Sequence, residues 1–210
     1  MEVVYTAIGK ISLQRYYDTI YPVICCNGKE NQITKKEMIL WSILVNTVVT
    51  EYQLEILYKK KAHKFLVSNE AFLEILQRLE TRNLIVKGSG QDWKDAVYNL
   101  IKKVYITPIE VNLLFKINAF FYLLIHKKIA FWQAVKIFGK YKLTKEERYI
   151  LNLVKQGFIC SGEIIEYTEH TLEEKSVRDT VKKEERIWES IKIILNLYEK
   201  GLINFDIKQT

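Results

Sequence analysis

Two short stretches decide the expected fold, because the chain uses each of them twice. ITKKE at residues 33–37 returns as LTKEE at residues 143–147, and LQRLETRNLI at residues 76–85 returns as LNLYEKGLI at residues 195–203. In each copy the first stretch opens a helical apolar pattern, and the second closes it about fifty residues later. Internal repetition on this scale indicates that one supersecondary unit is used twice.

The first copy predicts three helices followed by a strand. Thr34 with Glu37, and Thr50 with Gln53, have the spacing of capping boxes that open the first and second helices. Ser68 is placed to cap a third helix, whose apolar stripe consists of Phe72, Leu73, Ile75, Leu76 and Leu79. Residues 84–87 then predict a strand, and Gly-Ser-Gly at residues 88–90 predicts a tight turn.

The run SNEAFLEILQRLETRNLI at residues 68–85 resembles the recognition helix and first wing strand of PadR- and MarR-like bacterial transcription regulators. Asn83 stands where these families usually have glycine, although asparagine also tolerates a left-handed helix cap. The second copy has the usual glycine, Gly201. The resemblance covers about 55 residues per copy and implies winged helix-turn-helix units. Such units bind DNA, but they also serve as protein-binding modules.

We therefore expect a mainly α fold with a minor β part, in which two winged-helix-like repeats are joined by an apolar helical segment. The predicted units are an N-terminal strand segment (1–32), a first winged-helix repeat (33–91), a helical bridge suited to dimerisation (92–142) and a second winged-helix-like repeat (143–210). The second wing is expected to lack a return strand. The N-terminal strand, predicted over residues 3–8, is our candidate for the missing partner.

Net charge is +7 and is unevenly distributed. The first repeat and the bridge are net basic, whereas the second repeat is slightly acidic. This balance fits a polyanionic partner, and it also fits plain solubility. The cysteines are odd in number, and two of the three are adjacent, which makes a poor disulfide framework and indicates a reducing compartment. The first residues do not resemble a signal peptide. We expect a cytoplasmic protein without a membrane partner.

The predicted DNA contacts fall in the first repeat. A basic run between the second and third helices is suited to phosphates, and the outward residues of the third helix are suited to base edges. A solvated loop and an ordinary exposed helix face are the alternatives. Glu70 and Glu74 oppose DNA binding because their carboxylates repel phosphate. The candidate residues are Lys59, Lys60, Lys61, Lys64, Ser68, Asn69, Gln77, Arg78, Arg82 and Lys87.

Catalytic signatures find little support in this chain. The glycine-rich segment does not match a phosphate-binding or dinucleotide fingerprint, and the cysteine spacing does not match a zinc site. We expect neither an enzyme nor a cofactor or metal. The leading hypothesis is a dimeric, sequence-specific transcriptional regulator that binds double-stranded DNA, with its second repeat available to a protein partner. The alternatives are a plasmid-type replication initiator with two winged helices and a protein-interaction adaptor that does not bind DNA.

Overall fold

The computed structural model describes residues 1–17, 19–64, 72–109, 141–157, 160–165 and 180–207. The strands in these ranges are β1 (Glu2–Ala7), β2 (Lys10–Tyr16), β3 (Thr19–Cys26), β4 (Lys29–Gln32), β5 (Val49–Thr50), β6 (Ile85–Gly90), β7 (Tyr105–Pro108) and β8 (Ile203–Asp206). The helices are α1 (Lys35–Leu44), α2 (Glu51–Lys64), α3 (Phe72–Thr81), α4 (Trp93–Ile101), α5 (Lys145–Lys155) and α6 (Thr180–Glu199), with a short helical segment at residues 161–165.

The expected fold class is wrong, because the molecule is mixed α and β rather than mainly α. Its described strands form three antiparallel sheets with the orders β5-β1-β6, β2-β3-β4 and β7-β8. Several of these strands have four residues or fewer, or mix polar and apolar side chains. Such strands give a weak sequence signal beside the strong helical periodicity.

The capping boxes predicted from sequence are confirmed. Thr34 accepts a hydrogen bond from the Glu37 backbone, while the Glu37 carboxylate accepts one from the Thr34 backbone at 2.8 Å. Thr50 and Gln53 exchange the same pair of bonds at the start of α2. These local bonds satisfy amides that a helix start otherwise leaves without partners, so three-residue spacing alone located both starts.

The first repeat departs from the predicted winged helix in how its sheet is completed. β1 lies between β5 and β6, with Val4 opposite Thr50 and Thr6 opposite Val86. The chain then enters α4 directly after β6, so the N-terminal strand occupies the central position that a return strand would take. Residues 88–90 are the end of β6 and not a tight turn.

The glycine at position 88 is explained by the packing of α4 on this strand. A Cβ atom on Gly88 would lie 2.0 Å from the Ala96 carbonyl oxygen and 2.6 Å from the Leu100 Cβ. Only a residue without a side chain permits this approach of helix to strand. The glycines that suggested a turn therefore serve close packing.

The second repeat is completed in the same way by β7. Pro108 pairs with Ile203 of β8, and Tyr105 forms an isolated bridge with Cys160 on the other side. The proposed role of the N-terminal strand as partner of the second wing is therefore wrong. A strand that precedes each repeat in sequence completes the sheet of that repeat.

The ends of the third helices also match between the repeats. Asn83 follows α3 with a φ of 55°, and Gly201 follows α6 with a φ of 63°. The next amide, that of Leu84 or Leu202, bonds a carbonyl in the last turn of its helix at 2.9 and 3.0 Å respectively. These are Schellman-type ends, in which a left-handed residue lets the chain turn back into a strand.

The two repeats share one continuous hydrophobic core. Tyr198 of α6 stacks on Phe205 at 4.0 Å, and its hydroxyl reaches the Thr6 hydroxyl at 3.0 Å and the Ala7 carbonyl at 3.2 Å. The Gly9 amide donates to the Phe205 carbonyl at 2.9 Å. The strand of the first repeat is thus bonded to the third helix and last strand of the second.

Candidate nucleic-acid interface

Helix α3 presents one apolar and one polar face, as its sequence predicts. Ile75, Leu76 and Leu79 are buried against the core. Leu73 is an exception, because 62% of it is exposed although its spacing assigned it to the apolar stripe. Leu73 therefore lies outside the buried part of the stripe.

The polar face of α3 lines a shallow depression of about 440 Å³. Gln77 is exposed, and the Thr81 hydroxyl donates to the Gln77 carbonyl at 2.8 Å. A depression of this kind offers both donors and acceptors to a ligand. The lining residues are Glu74, Gln77, Arg78, Thr81 and Arg82.

Glu37 of α1 links this face to the start of the repeat. Only 3% of Glu37 is exposed, and its Oε1 lies 3.4 Å from Arg78 Nε and 3.3 Å from Arg82 Nη1. Arg82 also donates to the backbone carbonyl of Gln32. Two guanidinium groups therefore neutralise one buried carboxylate, which would be costly to leave unpaired.

These ion pairs give both predicted base readers a structural role. The Arg82 side chain is 34% exposed and the Arg78 side chain is 44% exposed. Arg78 can stay paired with Glu37 and still present part of its guanidinium to a ligand. Arg82 is held from two sides, so we assign it mainly to positioning α3 on α1.

The predicted lysine run lies on helix α2 and not in a loop. Lys59 and Lys60 are exposed and Lys61 is partly buried. Lys59 forms an ion pair with Glu55 at 2.7 Å, one helical turn earlier. This surface pair contributes little to stability, so Lys59 remains available to another anion.

A ring contact places this lysine run beside the first turn of α3. The ring centroids of Tyr58 and Phe72 are 5.8 Å apart, and both side chains are largely buried. Because Tyr58 directly precedes the lysines, the backbone of α2 that carries them passes close to the N-terminal end of α3. The predicted residues Ser68 and Asn69 lie outside the described residues, as does the side chain of Lys64.

Lys87 lies within strand β6, not at the tip of a wing. Its ammonium group pairs with Glu80 of α3 at 2.5 Å, and its carbonyl accepts a hydrogen bond from Lys103 at 2.9 Å. These two lysines are therefore close neighbours on the sheet side of α3. Lys103 was not among the predicted contacts, since it follows α4 in sequence.

The second repeat reproduces the buried carboxylate without the arginines. Glu147 forms a capping box with Thr144 and pairs with Lys200 at 2.5 Å. Burial alone would raise the pKa of Glu147, but hydrogen bonds from Lys200 and from the Thr144 backbone hold it below its ordinary value. In both repeats an acidic capping residue is thus tied to a basic residue at the end of the third helix.

A groove between α4 and α6 escaped the sequence analysis. It has a volume of about 520 Å³, and the rings of Trp93 and Trp188 meet edge to face at 5.6 Å beside it. The ammonium group of Lys94 lies 5.7 Å from the Trp188 ring centroid. The tryptophans are about 95 residues apart, so no local spacing signals their contact.

Cys26 is not set up as a nucleophile. Burial, together with a hydrogen bond to Asp206 at 3.2 Å, raises the pKa of the Cys26 thiol to about 12. The thiol therefore stays protonated at neutral pH, whereas thiolate is the reactive form. Its contact with Asp206 instead ties β3 to the last strand of the second repeat.

Comparison of the chain with protein-family models, with curated proteins and with solved structures gave no match. The described helices include none that is long and apolar enough to cross a bilayer. Within the same ranges, no group of three or more histidine, cysteine, aspartate or glutamate side chains is placed to hold a metal ion.

Proposed function

We propose that this protein is a transcriptional regulator that binds double-stranded DNA sequence-specifically. It acts as a homodimer, and its first repeat binds the DNA. The observation that carries the proposal is the Tyr58–Phe72 contact, which sets the lysine run of α2 beside the start of α3. In helix-turn-helix proteins the recognition helix lies in the major groove, and α3 is its counterpart in this proposal. A basic run at that point supplies phosphate contacts on either side of a groove.

The residues divide into two roles in this proposal. Lys59, Lys60 and Lys61 neutralise phosphates, which gives affinity that depends on salt but does not read sequence. Gln77 and Arg78 face outward on α3, and both side chains can form paired hydrogen bonds with the major-groove edges of bases. The pairing of Arg78 with Glu37 fixes the direction from which its guanidinium approaches.

The plasmid-type replication initiator remains the second candidate because two repeats pack into a single core. One chain could then contact two successive segments of DNA. This reading requires the α6 face to bind DNA as well, and that face includes Glu189 and Glu199 beside Lys192. The mixed charge favours the first repeat as the main DNA-binding unit.

A charge-reversal experiment tests the proposal. Wild-type protein is used to select fragments from random double-stranded DNA, and affinity for the selected and unrelated fragments is measured over a range of salt. We expect Lys60→Glu to weaken binding to both DNAs about tenfold and to lower the salt slope by about 1, as loss of a phosphate contact does. Gln77→Ala should weaken binding to the selected fragment alone.

The matched control is Lys155→Glu, which reverses an exposed lysine in the last turn of α5 in the second repeat. It should leave binding within about twofold of wild type, because its general electrostatic effect is small at moderate salt. Equal effects of the two charge reversals would show that only overall charge matters. Failure of the wild type to bind any DNA at low salt would turn the assignment to a protein-interaction adaptor.

A further inference from the structure

In the part of the chain that the structure describes, no strand pairs with the outer edge of β2 in the β2-β3 hairpin. β2 pairs with β3 in a regular register from Lys10 opposite Cys25 to Tyr16 opposite Thr19, and it is the outer strand of its sheet. A seven-residue edge strand without a bulge or proline is a template for another strand. Proteins usually protect such edges or use them.

The opposite edge of the same sheet is protected beyond β4. Pro22 of β3 lies past the last β4 pair, which joins Val23 to Gln32, and proline has no amide to donate. Strand addition is therefore disfavoured on that part of β3. β4 itself is only four residues long and entirely polar, and its Gln32 carbonyl accepts a hydrogen bond from Arg82, so β2 is the longer and more apolar edge of this sheet.

The register shows which groups of β2 point away from β3. Tyr16 and Thr19 close a two-residue turn, and such a closing pair is hydrogen-bonded, so bonded pairs recur at every second residue from there. Ile11, Leu13 and Arg15 are at the alternate positions and direct their amides and carbonyls outward. Pro22, which has no amide hydrogen, lies opposite Leu13. This agrees with the alternation, because the Leu13–Pro22 pair is one of those without hydrogen bonds.

The same alternate residues carry an exposed apolar surface. Leu13 is 70% exposed and Ile11 is 50% exposed, and both lie on one face of the hairpin. Leucine and isoleucine at the centre of an open edge leave apolar area in water that pairing would cover. The charged side chains, Lys10 and Arg15, lie toward the two ends of the strand.

We propose that two copies of this chain dimerise by antiparallel pairing of β2 with β2, centred on Leu13. In this register Leu13 faces the partner's Leu13, and Ile11 faces the partner's Arg15. About six backbone hydrogen bonds join the two edges. No two cations stand directly opposite each other, because Lys10 lies across from position 16 and Arg15 from an isoleucine. The strand is thus complementary to itself.

This interface deepens the proposed regulator by naming the surface of its homodimer. A two-fold axis through Leu13 would present two first repeats to DNA in related orientations, as a palindromic site requires. The dimer is tested without DNA, so its failure is distinguishable from failure of DNA binding.

Disulfide trapping tests the register. Directly opposed residues in a bonded antiparallel pair have Cα atoms about 5.5 Å apart, within the range of a disulfide. Leu13→Cys should form a covalent dimer rapidly under mild oxidation. The controls are Ile11→Cys, which faces the partner's Arg15, and Tyr17→Cys at the hairpin tip, where the native side chain is 84% exposed. If Tyr17→Cys cross-links as fast as Leu13→Cys, random collision explains the bond and the register is refuted.

Blocking the edge tests the interface itself. Leu13→Pro removes an outward amide that β3 does not use, whereas Leu13→Val keeps both the amide and an apolar side chain. Sedimentation over a concentration series should give wild type and Leu13→Val at twice the 24.9 kDa monomer mass, and Leu13→Pro at the monomer mass. Circular dichroism identifies any misfolding of Leu13→Pro, in which case Leu13→Lys, which opposes two ammonium groups at the axis, takes its place. A monomeric wild type, or dimers that persist in the folded variant, would overturn the proposal.

Discussion

Removal of the Tyr198 hydroxyl tests the hydrogen bonds that join the two repeats. Tyr198→Phe keeps the ring stacked on Phe205 but removes a hydroxyl that is 3.0 Å from the Thr6 hydroxyl and 3.2 Å from the Ala7 carbonyl. Tyr198 is 1% exposed, so water does not readily replace the lost partner. An unmade buried hydrogen bond costs about 1–3 kcal/mol. Thr6 keeps its hydrogen bond to the Thr47 carbonyl at 2.7 Å. We therefore expect Tyr198→Phe to lower the free energy of unfolding by about 1–2 kcal/mol.

The measurement is urea unfolding of wild type and variant, followed both by tyrosine and tryptophan fluorescence and by circular dichroism. For a chain of this size, a destabilisation of about 1–2 kcal/mol would appear in thermal unfolding as a Tm lower by roughly 2–8 °C. Tyr52→Phe is the matched control, because Tyr52 is 73% exposed and its loss should cost less than about 0.5 kcal/mol. A Tyr198→Phe effect as small as the control would refute the inferred strength of this link. Two separate transitions in wild type would refute a single cooperative core.

Two further substitutions test packing and charge. Glu147→Gln should destabilise the protein at neutral pH by about 1.5–3 kcal/mol, because it removes a charged hydrogen bond with Lys200. The folded-state pKa of Glu147 is lowered, so its contribution is present above the ordinary pKa of 4.5 and is lost as pH falls through the folded value. The difference in free energy of unfolding between wild type and Glu147→Gln, measured with urea, should therefore become smaller from pH 7 toward about pH 3.5. A difference that stays constant with pH would contradict this. Gly88→Ala should cost about 1–3 kcal/mol or more by the same measurement, since its Cβ would overlap the Ala96 carbonyl, and a neutral result would mean that α4 shifts freely on β6.

The sequence was informative wherever a signal is local. The boxes at Thr34 and Thr144 depend on bonds between residues three apart, and both are formed. The helix-to-strand reversal at Asn83 and Gly201 was also visible, since it needs a residue that accepts a positive φ. The repetition of these signals is what predicted the two copies.

Strand order could not be read from sequence in the same way. β1 pairs with β6 across about eighty residues, and β7 pairs with β8 across about one hundred. The local sequence around each strand does not show which other strand it pairs with. The glycines at the end of β6 resembled a turn because the close packing of α4 on β6, which requires them, is not visible in the sequence.

The candidate interface shows the same division between local and distant information. The outward positions of Gln77 and Arg78 followed from helical periodicity. The pairing of Glu37 with Arg78 and Arg82, more than forty residues away, did not. The Glu37 carboxylate, identified by its capping role, also holds the two arginines, so Arg82 has a structural contact that the sequence did not predict.

A preceding strand replaces the return strand in each repeat, and this bears on how the proposed DNA binding would occur. In a winged helix with a hairpin wing, basic residues at the hairpin tip can reach the backbone or the minor groove. Here β6 leads into α4 and its neighbour is β1, while Lys87 is paired with Glu80 beside α3. Under the proposed function, contacts to DNA come from α2 and α3, and the proposed dimer supplies a second set from the other protomer. The proposed β2 dimer therefore matters for the lysine run of α2. A DNA-binding surface built from short helices gains both affinity and specificity when a dimer presents two copies of it.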